Sequence, residues 1–150
     1  MKTTLNAIRA CAPCASGWAK LLSHLGKTRA DNKPLSLITI LDSNGLDDAL
    51  WALRAVEGHD REKRLYAVWC VRQVEHLLTD QRSRDALEVS ERFARGRATR
   101  EELDAARAAA YAAADAALAA ADARVAQSAE FRRVCECVDA GRDPYPEANV

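Results

Sequence analysis

The stretch 99–140 contains neither glycine nor proline, and from 105 to 126 it is dominated by alanine. Alanine has the highest helix propensity of any residue. Thr99 and Glu102 open the stretch with the Thr-x-x-Glu spacing of a capping box, in which each side chain satisfies a backbone donor left unpaired at a helix start. An unbroken helix to Ala140, stopped by Gly141 and Pro144, would be about 60 Å long at about 1.5 Å per residue. That is longer than a domain of this size needs. A break is therefore expected near residues 126–128, where Ser128 can cap a new segment carrying Phe131, Val134 and Val138. Residues 142–150 read as a loose tail.

The remainder of the chain carries the same helical punctuation. A short helix is expected over 4–11 and another over 14–25, where Trp18, Leu21, Leu22 and Leu25 recur at the spacing that puts side chains on one face. Leu37 to Leu41 is the one β-leaning run; it has no evident partner strand, follows a capping residue, Ser36, and ends at Asn44-Gly45, so it reads as a short helix. Further helices are expected over 46–56, over 60–78 with Asp60 as cap, and over 83–95 before Gly96. The runs from Asp48 to Leu65 and from Asp85 to Leu103 resemble each other, each a short helix, a glycine turn, a charged cap and a longer helix. The expectation is one all-α domain over 1–150, a compact multi-helix bundle of helical hairpins with a long Ala-rich C-terminal helix.

With 49% apolar residues, such a chain can build a core without metal or disulfide staples. Lys plus Arg equals Asp plus Glu, 22 each, so no global charge steers it onto nucleic acid or an anionic membrane. The Ala-rich segment comes closest to a membrane span but is interrupted by Arg107, Asp115, Asp122 and Arg124. Residues 1–5 lack the apolar run of a signal peptide, and five cysteines without an export signal read as reduced thiols in a cytosol.

Several clusters could carry chemistry. Cys11 and Cys14 form a Cys-x-x-Cys pair, and with Cys135 and Cys137, or one of His24, His59 and His76, they make a conceivable metal set. Opposite chain ends and the less usual Cys-x-Cys spacing make that the weaker reading, and no cofactor is expected. A redox role would need a strand feeding the motif into a helix, and none precedes it. Asp47 and Asp48 resemble a carboxylate pair, yet a place in the first turn of a helix accounts for both. Arg92, Arg95, Arg97 and Arg100 surround the Gly96 turn, a grouping that can hold phosphate or carboxylate groups. Helical pairing of Glu88 with Arg92 and Glu91 with Arg95 would neutralise much of it; Arg61, Lys63 and Arg64 sit among carboxylates in the same way. Neither group carries a series of interleaved aromatic residues suited to base stacking, which disfavours nucleic acid. Tyr111, Leu118 and Val125 fall seven apart with Ala114 and Ala121 beside them, a thin stripe for a neighbouring helix or for a second copy of the chain. No phosphate loop, serine elbow or zinc-protease motif occurs, so catalysis is not expected.

Residues 41–54, Leu-Asp-Ser-Asn-Gly-Leu-Asp-Asp-Ala-Leu-Trp-Ala-Leu-Arg, preceded by Cys14, Gly17 and Trp18 in Cys-x-x-Gly-Trp order, resemble a segment of small helical proteins of temperate phages and prophages. Tyr66-Ala-Val-Trp-Cys-Val-Arg72, Ala86-Leu-Glu-Val-Ser-Glu-Arg92 and the alanine run are similar to the Imm5-like family of helical immunity proteins. The resemblance spans about residues 5–135 and carries over no functional residue. It implies a non-enzymatic all-α protein of bacterial or phage origin. The leading expectation is a protein that blocks or redirects a bacterial factor by protein–protein interaction, as an anti-CRISPR-like anti-defence inhibitor does. Neutralisation of a cognate toxin, and binding of a small ligand or nucleic acid at the Arg92–Arg100 corner, are the alternatives.

Overall fold

The computed structural model describes residues 1–78, 81–110 and 121–146; the side chains of 109–110 and 121–125 are not described. The fold is all-α, with eight α-helices among the described residues and one two-stranded antiparallel sheet of two residues per strand. The chain divides into two compact units, 1–59 with 131–144 and 60–130 with 145–150.

In the first unit, β1 (Lys2–Thr3) pairs with β2 (Leu35–Ser36), a ladder the sequence reading did not anticipate. Helix α1 (Leu5–Ala10) is capped by Thr4, whose hydroxyl accepts the Ala7 N–H at 3.1 Å. Helix α2 (Ala15–His24) begins at Cys14, whose Sγ takes the capping role toward Gly17 N–H at 3.4 Å. The β-leaning run is helical, as expected: α3 (Leu37–Asn44) starts at Ser36, whose hydroxyl accepts the Ile38 N–H at 3.2 Å. It stops at Gly45, where φ of 97° suits glycine. Helix α4 (Leu46–Ala52) and a 3₁₀ turn (Leu53–Ala55) follow. Leu5, Leu37, Ile40, Ala49 and Phe131 are almost wholly buried. Each large apolar side chain contributes roughly 1.5–3 kcal/mol of transfer free energy.

In the second unit α5 (Asp60–Arg72) starts at Asp60 itself and stops before the expected end at 78. The backbone tightens there: the Val74 N–H bonds to the Val71 carbonyl, and a 3₁₀ turn (Glu75–Leu77) follows. Arg72 clamps the corner, donating to both Glu75 carboxylate oxygens and to Glu91. The corner lets Val74 and Leu78 be buried off the helical path. Helix α6 (Gln81–Ala94) packs on α5 and on α7 (Arg100–Ala110). The capping box is present in full at α7: Thr99 N–H donates to Glu102 at 2.7 Å, and Glu102 N–H to the Thr99 hydroxyl at 3.2 Å.

Helix α8 (Ala121–Asp139) runs through residues 126–128. The expected break is absent, and Ser128 is a mid-helix residue, not a cap. The stripe of Tyr111, Ala114 and Leu118 lies outside the described residues, as do the side chains of Ala121 and Val125. The tail expected to be loose is held as far as Tyr145: Arg133 donates to the Pro144 carbonyl at 3.0 Å and Arg61 to the Tyr145 carbonyl at 3.1 Å.

Candidate functional site

Along α5, Asp60, Lys63, Arg64, Ala67, Val68 and Val71 recur at three- and four-residue steps and so share a face. With Leu87 and Ser90 of α6 and Arg107 of α7 they line a groove of about 370 Å³. Buried Val68 and Leu87 make its floor apolar. Lys63, Arg64 and Arg107 face one carboxylate, Asp60, which the Lys63 ammonium meets at 3.8 Å.

Phe93 of α6 positions the central cation. The Arg64 guanidinium carbon lies 4.9 Å from its ring centroid and that of Arg100 4.8 Å. A ring quadrupole attracts a cation with about 0.5–2 kcal/mol, enough to gather two guanidiniums at one ring. Their proximity has a cost. Burial pushes Arg64 below the usual arginine value, the charges of Arg107 and Arg100 push it further, and Asp60 opposes them. Arginine remains charged at any physiological pH, so the shift describes a permanent cation in surroundings that disfavour it. Among the described residues no carboxylate lies within ion-pair distance of Arg64, Arg100 or Arg107. An incoming anion would relieve all three.

The four arginines singled out in the sequence do not act together. Arg95 pairs with Glu91 at 3.3 Å, the expected helical pairing, while Arg92 turns to Glu102 at 3.1 Å instead of to Glu88. Arg92 also donates to the Arg97 carbonyl at 3.4 Å. Only Arg100 approaches the cationic groove, which it does not line, through the Phe93 ring that it shares with Arg64. Sequence reasoning missed Arg107 and set Arg64 aside as part of a salt-bridged group. The available signal was the spacing of Arg100 and Arg107, seven residues apart on one helix face, with buried Leu103 between them.

The thiols stand apart. Cys14 is exposed, Cys11 and Cys137 are half-buried, and Cys135 is buried. Burial pushes the Cys135 thiol up to about 11, against the opposing pull of the nearby amino terminus. Among the described residues no three His, Cys, Asp or Glu side chains come together as metal ligands, so Cys11, Cys14, Cys135 and Cys137 do not form one set. Asp47 is exposed, whereas half-buried Asp48 accepts a hydrogen bond from Asn44 at 2.7 Å. His76 is exposed, and its neighbour Glu75 is engaged by Arg72. No helix among the described residues is long and apolar enough to cross a membrane. The chain matches no known protein family, no curated protein and no solved structure.

Proposed function

We propose that this chain is a non-enzymatic, phage- or prophage-encoded binding protein that blocks or redirects a bacterial protein in the host cytoplasm. Its recognition surface is the groove of α5, α6 and α7, and its target is an acidic, partly apolar segment of the partner. The observation that carries this reading is Arg64, held on Phe93 beside Arg100 and near Arg107, with Asp60 its one opposing charge and no carboxylate at ion-pair distance among the described residues. A carboxylate entering the groove can take charge-assisted, bidentate hydrogen bonds from a guanidinium, while an adjacent apolar side chain settles on Val68 and Leu87. The resemblance of residues 41–54 to segments of phage-encoded helical proteins supports the setting. The concrete form is an anti-defence inhibitor of the anti-CRISPR type.

The test is capture from bacterial lysate by the wild-type chain and by the Arg64→Gln/Arg107→Gln double variant, followed by titration of the purified partner. One stoichiometric protein partner is expected, held by wild type and released by the variant, with affinity falling as salt rises. Retention of the partner by the variant sinks the proposal. If the partner is a toxin encoded beside the gene, the function becomes immunity.

A further inference from the structure

We infer that the first unit carries a separate site, a cavity among α1, α2, α3 and α4 that takes a small alkylammonium head group. The cavity measures about 100 Å³. Ile8, Leu21 and Ile40 close it with buried apolar surface, and the indoles of Trp18 and Trp51 form further walls.

One charge enters this apolar space, and it is held firmly. Asn44 uses a single amide nitrogen to donate to the Gly17 carbonyl at 2.8 Å and to Asp48 Oδ2 at 2.7 Å. The absence of a side chain at position 17 admits the carboxylate, since a β-carbon there would stand 2.6 Å from Asp48 Oδ2 and 3.1 Å from Cys14 Sγ. Among the described residues Asp48 has no ion-pair partner, and no Lys, Arg or His lines the cavity. The site is therefore a carboxylate beside two aromatic rings, of which Trp51 also carries the Arg54 guanidinium, 4.5 Å from its centroid, while among the described residues no cation lies over Trp18.

That combination selects its ligand. A neutral apolar group would leave the carboxylate beside it poorly solvated and unpaired, and an anion would be repelled. An alkylammonium places its charge near Asp48 and its methyl groups against the indoles, whose ring quadrupoles attract a cation. The head group can come from a free quaternary amine or from a methylated lysine of a protein.

The chain contains three tryptophans, which makes the test internal. Trp18 and Trp51 line the cavity, whereas Trp69 stacks on Tyr66 in the other unit, with ring centroids 6.4 Å apart, and serves as reference. Indole N–H signals are followed by NMR during titration with choline, with its neutral isostere 3,3-dimethylbutan-1-ol, and with a short trimethyl-lysine peptide. Choline is expected to shift Trp18 and Trp51 saturably and leave Trp69 in place, the isostere binding at least about tenfold more weakly. Asp48→Asn, which keeps an acceptor for Asn44, should erase that preference. Tighter binding of the peptide than of choline assigns the head group to a protein side chain, and the reverse order assigns it to a small molecule. Equal response to the isostere, silence at Trp18 and Trp51, or an intact preference in Asp48→Asn overturns the inference. The Arg64→Gln/Arg107→Gln variant should titrate like wild type, so this site stands or falls apart from the groove.

Discussion

Gly17 and Asp48 approach so closely that no side chain can begin at position 17: its β-carbon would lie 2.6 Å from Asp48 Oδ2. Gly17 lies inside α2, and the glycine serves the contact, not backbone freedom. Two magnitudes then oppose each other. Alanine in place of a helical glycine should stabilise by up to about 1 kcal/mol, whereas forcing atoms into filled space costs roughly 1–3 kcal/mol. Because Asn44 restrains Asp48, the clash should win, and Gly17→Ala should lower stability in urea unfolding. In an Asp48→Ala background the same substitution should become neutral or stabilising. If Gly17→Ala costs the same in both backgrounds, the contact is not what requires glycine.

The capping box of α7 gives a pH-dependent prediction. The Thr99 N–H donates to Glu102 and holds its carboxyl below the usual carboxylate value, with Arg92 adding to the effect. A folded-state value lower than the unfolded one means stability that is present above the unfolded value and lost as pH falls through the folded one. Glu102→Gln should therefore unfold with less sensitivity to acid than wild type between pH 6 and pH 3. Thr99→Ala should cost about 1 kcal/mol, roughly 2–4 °C in Tm for a chain of this size. Thermal scans of both variants across that pH range check the assignment.

What the sequence reveals here is local, and what it conceals is not. Ser36 and Gly45 bracket a run of β-leaning side chains, and cap chemistry overrode their propensity to give α3. Thr99 and Glu102 stated their partnership through spacing alone. The pairing of Lys2–Thr3 with Leu35–Ser36 had no such signal, because two residues per strand establish no alternation. Arg100 was legible as a member of a basic cluster, but its grouping with Arg64 was not, since one lies on α7 and the other on α5 and only the shared Phe93 ring brings them together. The Arg92–Glu102 pair shows the converse error: a plausible helical partner, Glu88, lost to one across a turn.

Continuity of α8 at Ser128 can be tested with proline. Were Ser128 a cap, Ala129 would be the first helical residue, where proline is well tolerated. In the continuous helix Ala121–Asp139 the same residue is interior, and proline there removes a backbone hydrogen bond and clashes with the preceding turn. Ala129→Pro should cost about 3 kcal/mol. A variant with wild-type unfolding would mean the helix breaks there after all.

Thiol reactivity should follow burial. Only the thiolate is nucleophilic, and with its titration pushed up to about 11 Cys135 carries roughly a hundredfold less of it at pH 8 than an ordinary thiol. It is also fully buried, while Cys14 is exposed. Iodoacetamide at pH 8, followed by peptide mass spectrometry, should modify Cys14 early and Cys135 only in denaturant. Comparable labelling rates for the two would contradict the placement of Cys135.

Arg107 offers the sharpest separation of stability from function. Its charge lies near enough to Arg64 to depress that guanidinium's titration, an unfavourable interaction that folding alone gives no reason to keep. Arg107 is exposed, so solvent screens the coupling and the effect on stability stays within about 1 kcal/mol. Arg107→Gln should leave stability unchanged or slightly raised. Arg107→Glu should raise it further by supplying Arg64 with an internal counter-ion, and the gain should shrink as salt rises toward about 0.15 M. Affinity for an acidic partner segment should fall in the same order, wild type above Gln above Glu. Unfolding curves at low and moderate salt, set beside binding titrations, give both series. A loss of stability in Arg107→Glu would show that the arginines hold the fold together, and the groove would lose its claim to be a site.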